Sequence, residues 1–230
     1  MNLAFKLRWM HLWLGLFIGV QALLWMASGV YMTLLPIERV RGQHLVRIDD
    51  APLVVDAARL EAAELVARHP GLEGFRLKQW LGREVYELRA GGRTWLVDAR
   101  DGEALGPLPR EQIAERARAI YQGEGALVEV SWLTRAPREV AHRPVPMWAA
   151  RFDDRGATTL YFSPETGELL ARRHAAWRWF DVLWMLHIMD YDQRSDANNT
   201  LLRVAAALGV VFAVGSAWLT LRAWRRKARR

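Results

Sequence analysis

The chain of 230 residues contains no cysteine, which removes disulfide frameworks, zinc-thiolate sites, iron–sulfur clusters and cysteine nucleophiles together. Charge is missing from the stretch Leu12 to Leu35, which holds no Lys, Arg, Asp or Glu, and acids are missing from residues 1–9 and 222–230. A Ser-His-Asp spacing, an H-E-x-x-H helix and the Walker and dinucleotide glycine patterns are absent too. Hydrolase and nucleotide-driven mechanisms therefore have no residues to stand on.

The uncharged run exceeds the ~20 residues a helix needs to cross a bilayer. It is too long for a signal-peptide core, which ends after roughly 7–15 apolar residues at a small-residue cleavage site; here the run continues through Trp25, Tyr31 and Met32. A second apolar stretch extends from Thr200 to Leu221 with Arg203 as its one charge, close enough to the end to snorkel. The tails carry Lys6 and Arg8 at one end and Arg222, Arg225, Arg226, Lys227, Arg229 and Arg230 at the other. Those eight cations exceed the chain's net charge of +7, so everything between them nets −1. The basicity is topological in origin and gives no argument for nucleic acid. Basic tails stay in the cytoplasm, so the expectation is two spans, 10–35 and 200–221, cytoplasmic tails at 1–9 and 222–230, and an exported middle.

That middle is large enough to bury its own core. In its first half, 36–106, helical spacing over Val55 to Arg68 is broken by His69-Pro70-Gly71. Strands are then expected at Gly74 to Trp80, Arg83 to Arg89 and Arg93 to Asp98, the last two joined at Gly91-Gly92. The second half, 107–174, repeats the order: a helix started by Pro109 and running through Ile120, then strands at Leu127 to Leu133, Pro146 to Phe152 and Thr158 to Ser163. Asp101-Gly102-Glu103-Ala104-Leu105 matches Thr166-Gly167-Glu168-Leu169-Leu170 at an offset of 65. A helix and a three-stranded antiparallel sheet, used twice, makes an α+β fold.

The first-helix motif Arg8-Trp9-Met10-His11-Leu12-Trp13-Leu14-Gly15-Leu16, the helix-plus-meander units with their Gly-Glu-x-Leu turns, and the stretch Trp184 to Tyr191 ahead of the last span together resemble the PepSY-associated transmembrane proteins. The resemblance covers most of the chain. It implies tandem PepSY-like units outside a bacterial inner membrane. Since membrane members include siderophore-linked ferric reductases whose intramembrane histidines hold b haem, it also implies His11 as the matching haem ligand.

On the helix, His11, Gly15, Gly19, Ala22, Met26 and Gly29 share one face, open either to helix packing of the Gly15-x-x-x-Gly19 kind or to a flat macrocycle. His187 is the second candidate axial ligand. It lies in the aromatic segment Ala175 to Tyr191, too short and too charged to span, expected within 175–199 as an interfacial helix followed by a loop, with Trp177, Phe180, Trp184, His187 and Tyr191 on one stripe. His11 near the inner surface and His187 near the outer one are too far apart to share an iron, so a haem needs a second copy or a larger membrane redox partner. In the loop Asp190 to Asn199, oxygen ligands alternate as for calcium without the glycine and terminal glutamate of a hand-type site, and Asn199 is expected to cap the helix from Thr200. Two functions follow as expectations. One is b-haem electron transfer toward an exported ferric complex. The other is a lipid-anchored module that binds a peptide, a peptidase or an envelope partner.

Overall fold

The computed structural model describes residues 3–48 and 59–228, and of residues 3–8, 10, 11, 219 and 223 the backbone only. The chain forms two compact units, one of residues 38–178 and one of residues 1–37 with 179–230.

The 38–178 unit is α+β with two antiparallel sheets. The helix expected over Val55 to Arg68 is shorter: α3 covers Ala62–Arg68, residues 59–61 are not helical, and 55–58 lie outside the described residues. Its Leu65 is fully buried with Tyr86, Leu88 and Val97. The first sheet follows as β1 (Gly74–Trp80), β2 (Arg83–Ala90) and β3 (Arg93–Asp98) in sequential order. Gly91 and Gly92 both have positive φ, +56° and +73°, as a two-residue hairpin turn whose twist matches the strands requires.

Helix α4 (Arg110–Ile120) follows Pro109 and buries Ile113, Ala117 and Ile120, one stripe at helical spacing. The second sheet is larger than expected. After β4 (Leu127–Leu133), β5 (Met147–Phe152) and β6 (Thr159–Phe162) comes a fourth strand, β7 (Leu169–Arg173), in the segment assigned to the closing turn. One core joins both sheets to α4, with Trp80, Val85 and Leu96 packed among Leu108, Phe152, Leu160 and Phe162.

The repeat at an offset of 65 holds bond by bond in the closing turns. Gly102 N–H donates to Asp98 C=O and Gly167 N–H to Ser163 C=O, at 3.0 and 2.9 Å; Asp98 N–H donates to Glu103 C=O and Ser163 N–H to Glu168 C=O, both at 2.9 Å. The side chains of Asp98 and Ser163 accept from the amides of Arg100 and Glu165, and those of Asp101 and Thr166 from Glu103 and Glu168. Residue types differ between the copies, yet each supplies the oxygen acceptor the turn needs.

His174 is buried at the end of β7, its Nε2–H donating to Val40 C=O at 3.0 Å with the His44 ring edge-on at 5.9 Å. Burial lowers its pKa, with His44 and Arg178 adding repulsion, and burial also lowers that of His142. A histidine depressed in the folded state contributes stability that is complete above the unfolded pKa of ~6.5 and fades as pH falls below it. The domain's melting temperature is therefore expected to fall between pH 7.5 and pH 5. His174→Gln, whose amide can still donate to Val40, should flatten that slope, and an unchanged slope would contradict the assignment.

The other unit contains α1 (Leu3–Leu34), most of α5 (Ala175–Ile188) and α6 (Thr200–Lys227), whereas the one-turn α2 (Ile37–Val40) lies where the chain enters the 38–178 unit. The segments Leu12–Leu34 and Thr200–Lys227 are long and apolar enough to cross a membrane. Asn199 caps α6 as expected, its Oδ1 accepting from Leu202 N–H at 2.9 Å.

Candidate functional site

The face of α1 that packs inward only partly coincides with the small-residue face the spacing suggested. Met26 is 62% exposed, whereas Gln21 and Ser28 are 8% and 1% exposed. Polar groups inside an apolar helix pair are costly to leave facing lipid, so they turn toward protein and carry the contact surface with them. Gly15 still brings α6 close, since a Cβ there would stand 3.4 Å from the Phe212 ring, while nothing lies within 4 Å of one at Gly19.

Ser28 positions His187. The Ser28 hydroxyl has one proton, and its oxygen lies 2.7 Å from Leu24 C=O, 3.1 Å from Trp25 C=O and 2.8 Å from His187 Nδ1. With the hydroxyl proton on a carbonyl of the preceding turn, Oγ accepts from Nδ1–H, and with that proton on Nδ1 the roles reverse. The first arrangement leaves the Nε2 lone pair for a metal, as when a metal-ligating histidine is oriented by its other nitrogen. Gly29 leaves room beside it: a Cβ there would sit 3.9 Å from His187 Cε1.

The aromatic stripe expected on the 175–191 segment ends before Tyr191. The helix stops at Ile188, Met189 turns the chain with φ +54°, and Tyr191 stands outside it. Trp184 Nε1–H donates to Arg194 C=O at 3.1 Å, and Arg194 pairs with Asp181. Phe180, Trp184 and His187 are stacked in series at ring spacings of 6.4 Å. His187 is thus held by α1 instead of lying on a lipid-facing stripe.

His11 is on α1, but its side chain lies outside the described residues. Seventeen helical residues separate it from Ser28, a rise of roughly 25 Å, so His11 and His187 cannot flank one iron atom within a chain. Among the described residues no three His, Asp or Glu side chains gather as a metal cage.

Asp190 in the following loop is engaged by backbone. Its carboxylate accepts from the amides of Asp192, Gln193, Ser195 and Asp196 at 2.9 to 3.2 Å. Led by the Asp196 and Ser195 amides, these bonds pull its pKa down to about 2. The oxygens that suggested calcium hold a tight turn ahead of the Asn199 cap.

Two cavities bear on function. The 38–178 unit has a groove of about 650 Å³ lined by Arg76, Glu87, Arg89, Thr94, Glu165 and Glu168, running across the first sheet, in which β1 is an outer strand. Between α1 and α6 lies an apolar cleft of about 600 Å³ into which Gln21 and Trp25 face. The residues that reasoning from sequence missed are Gln21, Trp25 and Ser28. Their signal was available, for a Gln and a Ser in an uncharged 24-residue run each need a partner. Compared with family models, with curated proteins and with solved structures, the chain finds no match, and its function is read from this geometry.

Proposed function

We propose that the chain is an inner-membrane redox subunit in which α1 and α6 span the bilayer, both basic tails are cytoplasmic, and the 38–178 unit is an exported tandem PepSY-like domain. The observation that carries this is the Ser28–His187 pair: an imidazole bonded through Nδ1 to a buried hydroxyl, with Nε2 left to coordinate when Nδ1 carries the proton, on an apolar helix pair. A b haem fits that donor set, because the protein need supply only imidazole nitrogens to its iron. When bound, the haem would supply one-electron transfer. His187 would hold it toward the outer face, with Ser28 orienting the imidazole, and His11 would be the matching ligand toward the inner face.

Each position has one histidine per chain, so a second copy or a larger membrane redox partner completes the ligation. Electrons then pass outward to an exported acceptor such as a ferric complex. The test is the absorbance of the full chain purified from haem-replete cells. A Soret band with α and β bands on reduction is expected. No band, in that preparation and after haem is added, counts against the proposal.

The groove across the first sheet favours a second reading, a membrane-anchored module that binds a peptide or peptidase without redox activity. An extended peptide added to a free strand edge gains main-chain bonds, and the mixed charges of Arg76, Glu165 and Glu168 suit a polar one. His11→Ala and His187→Ala separate the two: the redox subunit loses function with normal insertion, whereas a tether tolerates both changes.

A further inference from the structure

The cleft between α1 and α6 is almost wholly apolar. Small residues open it, with Gly19 and Ala22 on one helix and Ala206, Gly209 and Ala213 on the other. Its volume of about 600 Å³ is within the usual range of small-molecule sites. Gln21, Trp25 and Ser216 interrupt it. Gln21 Nε2 and Trp25 Nε1 are buried and have no hydrogen-bond partner, and Gln21 as a whole is 8% exposed. A donor buried without an acceptor is destabilising, so two on one face mark where an occupant supplies oxygen.

The chemistry of the occupant follows. It is apolar over most of its surface, because the cleft offers little else to bond. It brings two acceptors spaced like the two donors, which leave α1 one turn apart, ~6 Å along the axis. It reaches the middle of the span, since Gln21 and Trp25 flank the midpoint of Leu12–Leu34. Phospholipid ester carbonyls sit at the headgroup boundary, too far out for that depth. Haem does not match, because among the described residues no histidine lines the cleft.

We propose that this cleft binds an isoprenoid quinone, a flat lipid-soluble ring whose carbonyls lie at opposite edges, roughly 5 Å apart by ordinary bond lengths. Trp25 donates to one carbonyl and Gln21 to the other. The Gln21 amide can also turn over and accept from a hydroxyl, so the site holds the reduced ring as well. The site stands whether or not His187 carries haem.

The full chain in nanodiscs of synthetic phosphatidylcholine is titrated with a decyl-tailed benzoquinone and followed by quenching of tryptophan fluorescence. Saturable quenching is expected. Gln21→Leu, which keeps the bulk and removes the amide, should weaken binding about tenfold, the equivalent of one hydrogen bond. Gly209→Phe should abolish it by filling the cleft, and the fold admits a side chain there because a Cβ would meet nothing within 4 Å. Non-saturating quenching equal in all three proteins is partition into lipid and overturns the proposal. So does a Gly209→Phe chain that falls from dimer to monomer while quinone affinity stays at the wild-type value, because the cleft then seats a second copy's helix.

Discussion

Gly167→Ala is expected to destabilise the 38–178 unit by about 3–5 kcal/mol, combining a left-handed backbone with overpacking. Gly167 has φ +64°, and a Cβ there would stand 2.0 Å from Trp80 Cη2 and 2.2 Å from Cζ3. The ring cannot retreat. Trp80 is 3% exposed, its Nε1–H donates to Gln112 Oε1 at 3.0 Å, and the Arg116 guanidinium lies 5.8 Å over its face. One side chain from the first sheet therefore holds both α4 and the closing turn of the second. The equivalent glycine of the other copy is the control. Gly102 has φ +78°, but its Cβ would meet only Leu60 Cδ1 at 2.9 Å and Arg68 Nη1 at 3.1 Å, flexible ends that can move. Gly102→Ala should cost about 1–2 kcal/mol, chiefly for the backbone. Thermal or urea unfolding of the two variants side by side checks this, and equal losses would show that Trp80 is not wedged under Gly167.

The second large effect concerns His187. His187→Ala should abolish haem retention at the outer site. Ser28→Ala should weaken it about 10–100-fold, the usual loss when a partner orienting a metal ligand is removed. Ser28→Thr keeps a hydroxyl that can bond back to the preceding turn and accept from Nδ1–H, so it should restore binding. A role in packing alone predicts no rescue specific to the hydroxyl. Haem-to-protein ratios and haem titrations of the three variants decide the matter. Wild-type haem content in His187→Ala, with loss in His11→Ala, would leave His11 as the ligand and remove His187 from the account.

Much of the 38–178 unit was legible because its signals are local. Gly91-Gly92 names its own hairpin, Pro109 starts α4, and the turn repeat at offset 65 reappears as the same set of hydrogen bonds. The strand β7 was hidden because Leu169–Arg173 has two basic residues and no alternation, and is a strand only because β6 lies alongside it. The start of α3 was placed too early since helical spacing continues through residues that tertiary structure does not keep helical.

The site was less legible. Spacing groups residues onto a face without saying which face finds a neighbour. On the small face Met26 is exposed, while Gly15 and Gly29 stand close to Phe212 and His187; among the described residues of α1 the buried ones are Gln21 and Ser28, whose polar atoms are costly to place in apolar surroundings. His187 was expected at the outer interface, and the structure shows its bond to Ser28, six residues from the end of α1. What spacing could not supply was the partner, because Ser28 and His187 are 159 residues apart.

The central claim is that two spans keep both basic ends on one side of the lipid and the mixed helix-and-sheet domain on the other. Since the chain has no cysteine, single thiols report without background. Ala197→Cys in the exposed loop before α6 and Lys227→Cys near its exposed end can be probed in cells with a membrane-impermeant maleimide after the outer membrane is opened. The account predicts labelling at 197 and none at 227 until the inner membrane is lysed. Labelling at 227 in intact cells, or protection at 197, would contradict it.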